Sequence, residues 1–215
     1  MKPRRPGRPN RDDAARDTRE QLLDAGLASC VEQGIAGTTL RDVAKRAGLT
    51  PALLHYYFAD KSGLVEAVAS ERVLPVIDAL GSDSQSGGQD PATIAIDFVD
   101  SVFALVERFP WLPGLWVREV LASSGGLRQF LLQHVAERIP RPLARQFAAA
   151  QQAGRLAADI EPRLLVVSLI GLSLFPLAAA PLWQGAFNDP ALGRERLRQH
   201  THALLRAALE PRDEN

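Results

Sequence analysis

The chain has 215 residues, 46% of them hydrophobic and 23% charged, the balance of a folded globular protein rather than a disordered one. Its single cysteine, Cys30, excludes an intrachain disulfide and a cysteine-built metal cluster. The formal net charge is zero, yet residues 1–61 hold 11 Lys/Arg against 8 Asp/Glu, and residues 62–215 hold 14 against 17. A basic head on an acidic body fits a polyanionic partner at one end of the chain.

Residues 1–16 carry Pro3, Pro6 and Pro9 and are expected to be a disordered, non-helical basic arm. No apolar run follows this arm as a signal peptide requires, so a cytoplasmic location is expected. The first helix is predicted to begin near Asp17 or Thr18, with Thr18 and Gln21 as a capping box. Leu22, Leu23, Ala25, Leu27, Cys30 and Val31 form its apolar face, with Cys30 as a buried core thiol, and Gly34 stops it. A short second helix follows, capped by Thr38 or Thr39, with Leu40, Val43, Ala44 and Ala47 inward and Gly48 at its end. Thr50 then caps a third helix with Pro51 at its first position, running through Phe58. Asp60 caps a fourth, starting at Lys61 and kinked at Pro75.

Residues 81–90, GSDSQSGGQD, read as a flexible loop. Helical patterns resume at roughly 91–109, 111–123, 125–155 with a break at Pro140-Arg141-Pro142, 161–182 and 190–210. No strand alternation and no internal repeat is visible, so the chain is expected to be all-α, with about nine helices. The run Leu164–Leu182 contains Ser168, Ser173, Pro176 and Pro181 and reads as a buried or dimer-facing helix rather than a membrane span.

Two short helices joined by a Gly-containing turn, after a longer helix, have the layout of a helix-turn-helix. Ala44 is small enough for a close approach of the third helix, and Gly48 takes positive φ at little cost. The full string from Thr38 through Arg41, Asp42, Val43, Ala44, Ala47, Gly48, Leu49, Thr50, Tyr56, Phe58 and Lys61 to Leu64 closely resembles the TetR family of repressors. The likeness covers about residues 18–66; His55 stands where the family usually has Tyr. It implies a three-helix DNA-binding domain at 17–62 and a larger helical domain at 63–215 for ligand sensing and dimerisation.

The resemblance assigns roles by position. Thr38, Thr39 and Arg41, with Thr50 and Lys61, fall in the DNA-binding set, with Thr39, Arg41 and Lys61 on phosphates. Pro51, Ala52 and Leu53 face base edges, and His55, Tyr56 and Tyr57 lie along the groove wall. Since Pro51, Ala52 and Leu53 offer no side-chain hydrogen bonds, readout is expected to rest on thymine methyls, Arg41 and DNA shape. Leu54 and Phe58 are expected in the core. The segment Pro3–Pro9, with Arg4, Arg5 and Arg8, resembles an AT-hook and suits a minor groove; the bland alternative is an electrostatic tail.

For the sensor half, Phe98, Phe103, Trp111, Trp116 and Phe130, with Arg118, Glu119 and His134 as polar anchors, are the candidate ligand-binding residues, and an apolar or aromatic effector is expected. The resemblance implies a homodimer interface through the last two long helices, roughly 161–182 and 190–210, and the apolar run of the first, broader than one core-facing stripe requires, suits a second buried face. The family likeness points to a regulator, chiefly a repressor, that binds a palindromic double-stranded DNA operator as a dimer and is released by a small molecule. The competing readings are a helical small-molecule-binding protein or enzyme whose helix-turn-helix is incidental, and a DNA-binding architectural protein with no ligand. No Gly-rich phosphate loop or nucleophile elbow is present, and His200 and His202, two apart on a helix, point to different sides. No enzyme activity, cofactor, metal or membrane partner is therefore expected.

Overall fold

The computed structural model describes residues 11–82, 90–122, 125–189 and 191–209. Among these residues every regular element is a helix, and the chain divides into two compact units, Met1–Val73 and Leu74–Asn215.

The first unit is built from α1 (Arg11–Gly37), α2 (Leu40–Arg46), α3 (Pro51–Phe58) and α4 (Lys61–Val68), closed by a π-helical turn at Ala69–Val73. The helix α1 starts at Arg11, well before Thr18. The prolines that bar a helix end at Pro9, so nothing in 11–16 opposes one; the expected break was carried too far along the chain. Gly34 does interrupt it, at φ 76° and ψ 164°, and a short turn to Gly37 follows. The predicted caps of α2, α3 and α4 are realised by Thr39, Thr50 and Asp60. Leu22, Leu23 and Ala25 of α1, Val43 and Ala44 of α2, Leu54 and Phe58 of α3, and Leu64 and Val68 of α4 form one core. Cys30 is buried, as its place on the apolar face requires. Pro75 cannot donate the i→i−4 bond, and the π turn lies immediately before it, where the helical ladder must be re-registered.

The second unit contains α5 (Leu74–Ser82), α6 (Pro91–Arg108), α7 (Leu112–Trp116), a π turn at Val117–Leu121, α8 (Arg128–His134), α9 (Pro140–Gln152), α10 (Pro162–Ala178), α11 (Ala180–Phe187) and α12 (Arg194–Leu209). The loop predicted at 81–90 falls largely outside the described residues; helix persists to Ser82. The break predicted at Pro140–Pro142 lies instead at 135–139. Pro140 opens α9, because at the first helical position its missing N–H costs nothing.

The central helix α6 buries Ile94, Phe98, Val99, Val102, Phe103 and Val106 and packs on α5, α10 and α12. The opposite side of α10 from its buried Val166, Leu169 and Ser173 leaves Leu164, Val167 and Phe175 more than 60% exposed. The pattern predicted as one helix over 161–182 bends by 68° between α10 and α11. Pro176 removes a ladder donor there, and Trp183 Nε1 donates to its carbonyl at 2.8 Å, fastening α11 across the bend. No single helix among the described residues is long and apolar enough to cross a membrane; α10 and α11 together pass by composition, but only as this bent pair. On the far side of α6, His202 Nε2 and Asp100 Oδ1 lie 2.7 Å apart, and Arg198 Nη1 lies 3.4 Å from the same oxygen, tying α12 to α6.

Candidate DNA-binding site

The turn between α2 and α3 is closed by a pair of backbone bonds. Leu49 N donates to Ala44 O at 2.9 Å and Gly48 N to Lys45 O at 3.1 Å, the Schellman pattern. Gly48 occupies φ +69°, and a Cβ there would meet nothing within 4 Å, so the glycine is required for backbone conformation rather than for space. Val43 and Ala44 are fully buried against this turn.

On α3, Leu54 and Phe58 point into the core while Pro51, Ala52, Leu53, His55 and Tyr56 are exposed, Tyr56 at 81%. The Thr50 hydroxyl accepts from Leu53 N at 3.4 Å, so the first turn of α3, the part a recognition helix presents to base edges, is held by its cap. His55 Nδ1 donates to Ala59 O at 2.8 Å, which leaves Nε2 for an outside partner. Tyr57 is half-buried, and its hydroxyl donates to Ala15 O of α1 at 3.0 Å. On α2, Arg41 is exposed; Thr39 accepts from Asp42 N and donates to Asp42 Oδ2 at 2.6 Å. Lys61 Nζ donates to Ala36 O at 3.0 Å, using one of three ammonium protons on a carbonyl at the end of α1.

One expectation is corrected. Thr38 is 1% exposed, and its hydroxyl donates inward to Gly34 O at 2.8 Å, so its side chain belongs to the core and not to the DNA-facing set. The two adjacent threonines are indistinguishable in the sequence pattern; only the caps assign one inward and one outward. Arg4, Arg5 and Arg8 lie outside the described residues.

The candidate sensor residues do not share one of the described clefts. Phe98 and Phe103 are buried along α6. Trp111 is half-buried, edge-on to Phe109 with ring centres 5.9 Å apart. Trp116 ends α7, Arg118 is exposed, and Glu119 is 4% exposed in the following π turn, where its Oε2 accepts from Gly126 N at 3.1 Å. Phe130 stacks on His134 at 4.2 Å, and His134 Nδ1 donates to Phe130 O. Three clefts among the described residues of this unit have other linings. The most apolar, about 310 Å³, is lined by Pro176, Trp183, Phe187, Leu192 and Leu197 with Arg196 and His200. Phe103 lines a larger, more polar cleft of about 660 Å³ with Asp100, Glu107, Arg194, Glu195 and Arg198. The third, about 420 Å³, lies between Val106, Pro113, Leu177, Pro181 and Leu197. The other seven candidates line none of the three. Of these lining residues the half-buried Trp183 and the exposed Phe187 lie just beyond Leu182, where the predicted helix stopped, and their aromatic side chains were the signal available.

A capped two-helix turn that presents an exposed second helix from a small helical unit is the architecture of a helix-turn-helix transcriptional regulator. Residues 22–68 match the model for bacterial regulatory proteins of the tetR family. The chain is 32% identical to the HTH-type transcriptional regulator BetI of Burkholderia ambifaria over 178 residues, covering 76% of this chain and 89% of the relative. It is 31% identical to BetI of Burkholderia pseudomallei, covering 76% of this chain and 88% of that one. Among solved structures, a TetR-family transcriptional regulator from Rhodococcus sp. superposes with TM-score 0.68 at 22% identity, covering 90% of this chain and 100% of that chain. The SmeT–triclosan complex superposes at 0.59 with 21% identity, covering 92% and 93%. The chain belongs to the TetR family and is a transcriptional regulator.

Proposed function

We propose that this regulator is a repressor that binds a palindromic DNA operator as a homodimer and is released by a small molecule, acting in the cytoplasm without catalysing a reaction. The observation that carries the DNA-binding half is the sorting of α3: Leu54 and Phe58 anchor it while Pro51, Ala52, Leu53, His55 and Tyr56 are all exposed beside Arg41 and Thr39. Pro51, Ala52 and Leu53 enter the major groove, where they offer apolar contact to thymine methyls; Arg41, Thr39, Thr50 and Lys61 hold phosphates; and His55 and Tyr56 line the backbone. Arg4, Arg5 and Arg8 follow the minor groove on the flank.

Dimerisation is supported by the exposed apolar face of α10, Leu164, Val167 and Phe175, with Leu204 of α12 at 44% exposure. A patch of this kind on a soluble protein marks an interface. A small apolar or aromatic effector is supported by the cleft of Trp183, Phe187 and Leu197, and by the likeness to the SmeT–triclosan complex. The test is a gel shift on the regulator's own promoter region against a scrambled duplex at physiological salt. Preferential retardation by two chains per duplex is expected; equal affinity for both duplexes contradicts the proposal.

A further inference from the structure

One guanidinium, that of Arg19, spans the junction where α1 meets both the end of the recognition helix and the exit turn of the DNA-binding unit. Arg19 Nη1 and Nη2 each donate to a different oxygen of Glu71, both at 2.6 Å, a two-pronged fork. The same guanidinium carbon lies 5.3 Å from the centre of the Phe58 ring, the last residue of α3. One helical turn earlier on α1, the carbonyl of Ala15 accepts from Tyr57 of α3. Glu71 stands in the π turn Ala69–Val73, so the fork joins that turn to α1 and fixes the plane laid over Phe58. The next residue, Arg72, donates to Glu20 through Nη2 and to Asp24 through Nε at 2.7 Å. Neighbouring pairs of opposite sense, Arg19–Glu71 and Glu20–Arg72, specify register: sliding the π turn by one residue sets like charges against each other.

We propose that Arg19 and Glu71 are positioning residues for DNA recognition: the fork holds the C-terminal end of α3, through Phe58 and beside the Tyr57–Ala15 bond, at the angle that operator reading needs, without itself touching DNA. The reading rests on the proposed DNA-binding role of α3. It makes an unusual demand on Glu71. By charge alone, removing a carboxylate from a DNA-binding unit strengthens binding to a polyanion. By position, removing this one loosens the recognition helix.

The experiment uses the full-length protein and a duplex selected by it from a random-sequence library. Failure to enrich any sequence contradicts the DNA-recognition reading itself and is thereby separate from failure of this proposal. Affinities for the selected and a scrambled duplex are then measured across a salt series for Glu71→Gln, Arg19→Met and the double variant, at a temperature where circular dichroism shows all of them folded. The expected result is a loss of roughly fivefold or more on the selected duplex in each single variant. The scrambled duplex is held as well as before or slightly better, and the salt slope is unchanged. The double variant loses no more than the worse single one, because both act through one junction. Tighter or unchanged binding of the selected duplex by Glu71→Gln, equal losses on both duplexes, or additive losses overturn the proposal. So does a salt slope shallower by about one unit in Arg19→Met, which identifies Arg19 as a phosphate ligand.

Discussion

Thr38 offers a sharp test of the inward placement at the start of α2. Its hydroxyl donates to Gly34 O at 2.8 Å, and its own backbone N–H donates to the same carbonyl at 3.1 Å. In Thr38→Val the hydroxyl bond is lost but the carbonyl keeps the backbone donor, so no acceptor is orphaned; the cost is that of one ordinary hydrogen bond, about 1 kcal/mol. Thr38→Ser keeps the bond and gives up one buried methyl, again about 1 kcal/mol. Thr38→Ala loses both, about 2 kcal/mol if the two groups act independently. Urea unfolding of the four proteins, monitored by circular dichroism, reads these differences as midpoint shifts at constant slope. Because Thr38 is 1% exposed, DNA affinity at a temperature where all four are folded is expected to keep its salt dependence. Unchanged stability in Thr38→Val with a shallower salt slope refutes the placement and returns the hydroxyl to a phosphate.

Arg41→Ala is expected to make the salt dependence of DNA binding shallower by about one unit without loss of stability, read from affinities across a salt series. Lys61→Ala does the same but also frees Ala36 O, so it additionally lowers the unfolding midpoint. Phe175→Glu places a carboxylate in the exposed apolar face of α10 and is expected to convert a dimer to monomers in sedimentation velocity; a variant that sediments as the wild type shows that face to be uninvolved. The two-pronged bond from Arg19 holds the Glu71 carboxyl below its ordinary range. A carboxyl depressed on folding contributes stability that is fully present above its unfolded pKa, about 4.3, and lost as pH falls through the depressed value. Acid titration of wild type against Glu71→Gln is expected to show that part of the loss below about pH 4.3 is missing in the variant.

The DNA-binding unit was legible because its signals are local. Thr50 followed by Pro51, Asp60 before Lys61, and Gly48 in a positive-φ turn each act within a few residues, and the structure uses all three. The inward stripe of Leu54 and Phe58 follows from helical period alone. What escaped is set by partners distant in sequence. Arg19 and Glu71 are 52 residues apart, and no periodicity marks either. In the larger unit the aromatic residues of 98–130 looked abundant enough to line a pocket; Phe98 and Phe103 are buried along α6, and of the two only Phe103 also borders a described cleft. The bend at Ala179, which brings Trp183 back onto Pro176, is a tertiary feature that the run of apolar residues through Leu182 conceals.

As proposed, two copies of this chain read one symmetric DNA site with paired α3 helices. The most direct measurement is selection of duplexes from a random library by the full-length protein, followed by the mass of the complex formed with the enriched site. An inverted repeat is expected, its half-site centres about 10 bp apart or a multiple of that, bound by an even number of chains, with enrichment lost when the first turn of α3 is altered by Leu53→Asp. Enrichment of a single asymmetric site bound by one chain, or enrichment that survives Leu53→Asp, contradicts it.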